Sequence, residues 1–275
     1  MKTSQLAINS VSTRHAGLEA ALDAYADAGF RSVEFFLPLV KDYLAQGHTT
    51  DDVRGLLEGR RLHAIGGFQT HVECFTAPES LRANHAIHLQ NVALIHALGG
   101  GTLVVGTDGP PQPSLEALDT VVETLRQLAR EIEGMDVSIA LEFNWSPLIK
   151  SLHSAVLVVQ KVDHAQVGVL FDPAHYYTTV TKFEQLTAAT VPWIKHVHLD
   201  DMRDKPGELS NCNSDRVLPG AGVIDLPALI QALERYGYRG FFSIEMFNEE
   251  LWQLPAEEAA RRCYQSLLPL CANGT

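Results

Sequence analysis

The sequence predicts an α/β fold, a (β/α)8 TIM barrel formed by a single domain over residues 1–275. Length is the first reason, because 275 residues is close to the roughly 250 that such a barrel needs. The second reason is an alternation of short β-branched runs with longer amphipathic stretches along the whole chain. The third is that no linker, low-complexity tract or shift in composition divides the sequence. About eight such units favour a closed barrel of parallel strands over an open doubly wound sheet.

The predicted strands are short and rich in β-branched or apolar residues. In chain order they are Leu6–Ser10, Ser32–Phe36, His63–His71, Thr102–Val105, Val137–Phe143, Val167–Asp172, Ile194–Leu199 and Phe241–Met246. The loop after the first strand contains no glycine, which argues against the phosphate-binding turn of a doubly wound sheet.

Amphipathic stretches between the strands predict the helices. The clearest are Gly17–Ala28, Ser80–Leu98, Ser114–Glu133, Ser151–Val162 and Leu226–Tyr236. Ser80 and Ser114 precede apolar periodicity, and we expect both to cap the start of a helix. Three glycines follow helical stretches and are expected at their C-terminal ends: Gly29, Gly99 and Gly237.

Composition excludes several classes of protein. Hydrophobic residues make up 46% of the chain, and 33 acidic residues against 21 Lys and Arg give a net charge of −12. A chain with this negative charge repels phosphate backbones, and we therefore expect no nucleic acid partner. We expect no membrane partner either, because no apolar run reaches the roughly 18 residues of a spanning helix. The first ten residues lack a continuous apolar segment, so we predict no secretory signal and a cytoplasmic location.

The four cysteines show no metal-binding or redox spacing. Cys74, Cys212, Cys263 and Cys271 form neither a CxxC nor a CxH pair. In a chain of this size we expect them to be free thiols in a reducing compartment, with Cys263 and Cys271 as packing residues.

The last four predicted strands each end in an ionisable residue. These residues are Glu142, Asp172, His198 and Glu245. Barrel enzymes place their chemistry at the C-terminal ends of the strands. Side chains alternate along a strand, and the residues that alternate with this set, such as Leu141 and Phe171, are large and apolar and suit packing against helices. We therefore expect the four polar groups to converge inside the barrel mouth.

Three carboxylates held together repel one another unless a cation lies between them. Two Glu, one Asp and one His form a mixed oxygen and nitrogen ligand set. The sequence thus predicts one divalent metal ion, with Mn²⁺ the expected ion and Mg²⁺, Co²⁺ or Zn²⁺ also suited. Since the set contains no thiolate, open positions for substrate oxygens are expected rather than a closed structural zinc site.

Several segments carry a family resemblance that covers nearly the whole chain. The most specific are Leu141-Glu142-Phe143, Phe171-Asp172-Pro173-Ala174-His175, His196-Val197-His198-Leu199-Asp200-Asp201, and Arg216 followed by Pro219-Gly220-Ala221-Gly222. They resemble the xylose isomerase-like TIM barrel superfamily, in its sugar-phosphate isomerase/epimerase branch. That branch includes ketose 3-epimerases, inosose dehydratases and 3-dehydroshikimate dehydratases.

The resemblance implies roles for these residues. The family's metal ligands correspond to Glu142, Asp172, His198 and Glu245, and its two glutamates act as an acid/base pair. Its substrate-binding His and Arg correspond to His175 and Arg216. The ketose epimerases carry a further Glu where this chain has Leu148, which argues against a free ketohexose as substrate.

Other positions are weaker candidates. His71 ends the third predicted strand and is expected to line the pocket and contact substrate, although a structural role fits equally well. His196 lies one inward layer below His198 and would orient it or be a buried structural His. Glu34 ends the second strand, where a salt bridge is at least as reasonable as a substrate contact.

The predicted function is a metal-dependent isomerase or epimerase of carbohydrate metabolism. It would act on a sugar, sugar acid or cyclitol through proton transfer and a metal-stabilised enediolate. The same first step followed by loss of a hydroxyl would make the protein a dehydratase of a keto-cyclitol or a 3-dehydroshikimate-like acid. An apurinic endonuclease-like phosphodiesterase and a non-catalytic sugar-binding barrel are remote alternatives. A homo-oligomer, either a dimer or a tetramer, is also expected.

Overall fold

Eight parallel strands close into a barrel in this computed structural model, which describes residues 1–271. The strands are β1 Leu6–Asn9, β2 Ser32–Phe36, β3 His63–Phe68, β4 Thr102–Val105, β5 Ser138–Glu142, β6 Val167–Phe171, β7 Ile194–Leu199 and, after a short hairpin, β10 Phe242–Ile244. They follow one another around the barrel in chain order, and β10 pairs with β1 to close it. The predicted (β/α)8 TIM barrel is therefore confirmed.

Most strand boundaries agree with the sequence prediction to within two residues. The third strand is the exception, because it ends at Phe68 and leaves His71 in the following loop. There Val72 makes a single bridge to Thr107, so the backbone stays near the barrel without continuing the strand.

Helices surround the barrel. Their bounds are α1 Leu18–Ala28, α2 Leu37–Ala45, α3 Thr50–Gly59, α4 Pro78–Ala97, α5 Leu115–Glu131, α6 Leu152–Val162, α7 Pro173–Thr178, α8 Leu226–Arg235, α9 Glu249–Trp252 and α10 Ala256–Leu267. The Ser114 side chain caps α5 by accepting from the Ala117 N–H, as predicted. The prediction for Ser80 is wrong, since α4 begins two residues earlier at Pro78, a residue suited to the first helical position.

A two-stranded hairpin is inserted after β7. Its strands are β8 Asp201–Met202 and β9 Arg216–Val217, which pair antiparallel. The buried Asp201 carboxylate accepts four backbone N–H groups, from Met202, Gly220, Gly222 and Ile224. This carboxylate ties the hairpin to the segment that leads into α8, and thereby fixes where Arg216 lies.

The apolar core has two parts. The larger lies between the barrel and the helices and includes Leu141 and Phe171. The smaller is formed by Val104, Ala140 and Leu170, with Phe68 packed against it. Ala140 and Leu170 alternate with Leu141 and Phe171 along their strands, so the two faces separate as the sequence predicts.

Two further expectations can be compared with the structure. All four cysteines are free, with Cys74 and Cys263 buried, and Cys263 and Cys271 pack with the core. Within residues 1–271, no helix combines the length and the apolar character needed to cross a bilayer.

Candidate active site

A cavity of about 340 Å³ opens at the C-terminal ends of the barrel strands. This volume falls within the roughly 300–1,000 Å³ that is usual for small-molecule sites. Its lining combines aromatic and polar side chains: Phe68, Gln69, Thr70, His71, Val104, Gly106, Glu142, Asn144, Trp145, His175, Cys212, Asn213, Arg216, Glu245 and Phe247. It therefore lies where a barrel of this kind carries its chemistry.

The structure places the four predicted ligands together at this end of the barrel, where Glu142 and Glu245 line the cavity and Asp172 and His198 are buried next to them. The His198 Nδ1 atom lies 3.3 Å from Asp172 Oδ2 and 3.2 Å from Glu245 Oε2. Glu142, Asp172 and His198 each offer a ligand atom within 4.8 Å of the others. Asp172 and His198 are fully buried and Glu245 nearly so. Burial alone would lower the pKa of His198, but Glu245 and Glu34 raise it well above its ordinary value.

Arg216 is buried among carboxylates. Its Nη1 atom lies 3.0 Å from Glu245 Oε2 and 3.1 Å from Asp172 Oδ2, and it also pairs with Asp200. Its Nε atom donates to the Cys212 carbonyl oxygen. Arg216 thus forms part of the cavity wall, while the contacts of Nη1 are with the protein's own acids. Asp172 is buried, which would raise its pKa, yet Arg216 and the neighbouring histidines hold that pKa well below its ordinary value.

Glu142 is held from two sides. Its Oε2 atom accepts from the Asn144 side-chain amide, and its Oε1 atom lies 3.4 Å from His175 Nε2. Burial raises the pKa of Glu142, but His175 outweighs burial and the pKa lies below its ordinary value. The pKa of His175 is raised well above its ordinary value, because Glu142 and Asp172 together outweigh the cost of burying its charge.

His175 is positioned by the start of α7. Asp172 caps this helix by accepting from the His175 backbone N–H, so the two residues are fixed relative to each other by the short Asp-Pro-Ala-His segment. The His175 Nδ1 atom is buried, and no residue among 1–271 gives it a hydrogen-bond partner. This atom is available to a ligand or to water in the cavity.

His71, a weaker candidate from the sequence, lies at the rim of the cavity. It is exposed, and its carbonyl oxygen accepts from the Asn84 side chain. Trp145 is half-exposed at the same rim.

Sequence reasoning missed one polar residue that contacts the site, Asn9, and expected either a salt bridge or a substrate contact for another, Glu34, which the structure places in ion pairs with two histidines. Asn9, at the end of β1, donates from its side chain to Glu245 Oε1 over 3.2 Å. Glu34, in β2, contacts the Nε2 atoms of both His196 and His198. Burial would raise the pKa of Glu34, but His198 and His196 lower it well below its ordinary value. A polar residue in or at the end of a predicted strand is a sequence signal for positions such as Asn9 and Glu34. This signal does not predict which residues they contact.

The donor set fits a divalent metal. One ligand atom each from Glu142, Asp172 and His198 lies within 4.8 Å of the other two. A carboxylate oxygen of Glu245 lies 3.2 Å from His198 Nδ1. Hard oxygen donors with one imidazole suit Mn²⁺, Mg²⁺, Co²⁺ or Zn²⁺. Glu142, Asp172 and His198 could therefore hold an ion, and Glu245, beside His198, stays the fourth predicted ligand.

A family comparison agrees with this fold. The family model described as xylose isomerase-like TIM barrel matches residues 22–267. The chain belongs to this family. The resemblance drawn from its strand-end motifs is thereby confirmed.

This xylose isomerase-like barrel is similar to curated enzymes of two kinds. The inosose isomerase of Bacillus velezensis is 36% identical over 142 residues, which cover 50% of each chain. The 3-dehydroshikimate dehydratase of Pseudomonas aeruginosa is 28% identical over 264 residues, which cover 92% of this chain and 40% of the relative. The chain therefore spans about half the length, or less, of these relatives.

Among solved structures, the barrel is similar to the IOLI protein, whose crystal structure contains a zinc atom. The two superimpose with a TM-score of 0.86 over 97% of each chain, at 25% sequence identity. The curated relatives are enzymes, and the solved neighbour carries a zinc atom in a barrel of the same fold.

Proposed function

We propose that this protein is a metal-dependent isomerase that relocates a proton on an uncharged keto-cyclitol or keto-sugar. The observation that carries the proposal is that Glu142 and Glu245 line one cavity and lie on the strands that flank those of Asp172 and His198. Two carboxylates on either side of a metal site can remove a proton and return it. The similarity to inosose isomerases supports a polyol substrate.

The residues divide the work between them. When bound, the metal would polarise the substrate carbonyl and make the neighbouring C–H more acidic. Glu142 is ionised at neutral pH because its pKa is lowered, so its carboxylate can accept the proton from that carbon. Glu245, held by Asn9 and Arg216, would take the proton of the adjacent hydroxyl and deliver it to the former carbonyl carbon. Glu142 would then give its proton to the oxygen on that carbon. No proton is consumed overall, and the product is an isomer.

The walls of the cavity favour an uncharged substrate. Glu142 and Glu245 both face it, and Arg216 Nη1 is paired with protein carboxylates. Each cation of the lining, Arg216 and the protonated His175, already lies beside a protein carboxylate, so the lining has no excess positive charge to bind a phosphate or a carboxylate. Phe68 and Phe247 supply apolar surface that can cover the C–H face of a sugar or cyclitol ring.

A dehydratase is the second candidate, because the similarity to 3-dehydroshikimate dehydratase extends over 92% of the chain. The same proton removal would be followed by expulsion of a hydroxyl group. His175 is suited to protonate that leaving oxygen, since its raised pKa keeps it protonated at neutral pH. Because the lining has no excess positive charge for an acid substrate, we place the isomerase first.

An NMR assay in D₂O distinguishes these functions. The protein reconstituted with Mn²⁺, and separately with Zn²⁺ or Co²⁺, is incubated with inososes, ketohexoses and 3-dehydroshikimate. Substrate carbon signals are followed after the metal is removed from each sample by chelation. Deuterium incorporation with an intact carbon skeleton supports the isomerase, whereas a new olefinic signal supports the dehydratase. The His198→Ala variant serves as the control. If none of the metal-loaded forms exchanges or converts any of these compounds, the proposed function is wrong.

A further inference from the structure

A second buried cluster lies directly behind the candidate metal site. Glu34 is fully buried, and its Oε2 atom is 3.0 Å from His196 Nε2. Its Oε1 atom is 3.1 Å from His198 Nε2. The two imidazole rings meet edge to face with their centroids 5.3 Å apart. One carboxylate is therefore shared between two histidines of β7.

The barrel backbone places Glu34 where it can reach both rings. The pairing of β2 with β3 shifts by one residue between Val33 and Glu34, so that Glu34 lies opposite Gly66 and Ile65 is passed over. The extra residue, Ile65, belongs to β3, and such a bulge bends its strand and increases the local twist beside Glu34. A side chain at Gly66 would collide with the Thr102 backbone, so the barrel wall is closely packed on this side of Glu34.

The hydrogen-bond partners of Glu34 then indicate which nitrogen of His198 carries a proton. A buried carboxylate accepts hydrogen bonds and has none to donate, so the nitrogen atoms that face Glu34 must carry protons. In a neutral imidazole, a proton on Nε2 leaves the lone pair on Nδ1. That lone pair points toward Asp172 Oδ2 and Glu245 Oε2, which lie 3.3 and 3.2 Å away. A bare lone pair would be repelled by these two oxygens, so Nδ1 either carries a second proton and donates to them or binds a cation that lies between them. Only the neutral ring with its proton on Nε2 can ligate an ion through Nδ1.

We infer that Glu34 is the positioning residue of the metal site, which fixes the His198 tautomer so that Nδ1 faces the ion. The inference rests on the metal site of the proposed function. Glu34 would act through His198 and would not touch substrate or metal. Partners of this kind are worth about 10–100-fold in metal affinity in other metalloproteins.

The inference changes the role expected for His196. His196 does not hydrogen-bond to His198 among the described residues, since both rings are bound to Glu34. We assign His196 the role of second N–H donor to Glu34, which keeps the shared carboxylate in place. A competing arrangement is a second ion held by Glu34, His196 and His198, whose ligand atoms also lie within 4.8 Å of one another.

Metal binding by matched variants tests the assignment. Glu34→Gln keeps the size of the side chain but offers an amide N–H to one of the two rings. We expect its dissociation constant for Co²⁺, measured by equilibrium dialysis, to rise about 10–100-fold. The visible absorption of bound Co²⁺ should change because the imidazole ligand is displaced. His196→Gln retains an N–H donor for Glu34, and its dissociation constant should stay within about threefold of wild type.

A second measurement uses only the wild-type protein, so it does not depend on whether a variant folds. Imidazole ¹⁵N and ¹H NMR of the wild-type protein loaded with diamagnetic Zn²⁺ should show His198 protonated at Nε2 and metal-bound at Nδ1. The inference is overturned by a proton on Nδ1, by unchanged Co²⁺ affinity in folded Glu34→Gln, or by two equivalents of bound metal per chain. If wild-type protein binds no metal at all, the proposed function fails with it. If wild-type protein binds one equivalent and Glu34→Gln binds it equally well, only the role of Glu34 is wrong.

Discussion

At the scale of single residues, the two glutamates carry the proposed chemistry. Changing Glu142 or Glu245 to Gln keeps the side-chain size and one ligand oxygen but removes the basic carboxylate. We expect each variant to retain metal and to lose roughly 10²–10⁴ in turnover rate, the usual contribution of a general base. Steady-state kinetics on a substrate identified by the D₂O assay, with metal content measured in the same samples, gives the result.

The matched control for these variants is Glu208→Gln, an exposed glutamate in the hairpin insertion. It should leave both the rate and the metal content unchanged. Near-wild-type turnover by both fully metallated active-site variants would rule out the two-glutamate mechanism. His71, which also lines the cavity, would then be the base to examine, because the raised pKa of His175 keeps it protonated.

At the scale of secondary-structure elements, the hairpin after β7 depends on one carboxylate. Asp201→Ala removes the acceptor for four backbone N–H groups, several of them buried. Each buried donor left unpaired costs about 1–3 kcal/mol, partly recovered where water can enter, so we expect a loss of roughly 2–4 kcal/mol in unfolding free energy. Urea denaturation followed by tryptophan fluorescence measures this change.

Hydrogen exchange locates the same effect. Amides between residues 216 and 224 should exchange faster in Asp201→Ala, because the tie between the hairpin and the segment before α8 is lost. Asp204→Ala, an exposed aspartate in the same hairpin, is the matched control and should resemble wild type. Equal stability and equal exchange in the two variants would show that Asp201 does not hold this element.

At the scale of the whole molecule, metal binding should couple to stability. Three carboxylates converge on the candidate site, so the ion binds the folded chain in preference to the unfolded one. At a free metal concentration 100 times the dissociation constant, binding adds about 2.7 kcal/mol, which corresponds to roughly 5–10 °C in Tm for a chain of this size. Thermal denaturation with Mn²⁺ and with a chelator measures the difference.

The His198→Ala variant is the reference for this experiment. It lacks the imidazole ligand, so its Tm should respond little to Mn²⁺ or to the chelator. A shift of the same size in His198→Ala and in wild type would mean that the stabilising ion binds elsewhere on the molecule.

The sequence by itself determined the architecture and which side chains meet at the barrel mouth. Both follow from local patterns in the sequence. The alternation of side chains along each strand, and the position of Glu142, Asp172 and His198 at strand ends, predict where these residues lie without reference to distant residues. The helix cap at Ser114 is equally local, whereas the start of α4 was missed because Pro78 competes with Ser80 as the first residue of that helix.

Only the tertiary structure decided which residues hold those side chains in place. Glu34 meets His198 across 164 positions of sequence, and Asn9 meets Glu245 across 236. Arg216 lies among three acids only because the hairpin folds back over the barrel mouth. Such contacts depend on barrel closure, on the shift in pairing at Glu34 and on the insertion after β7. No periodic pattern records these features, since each arises where elements distant in the sequence come into contact.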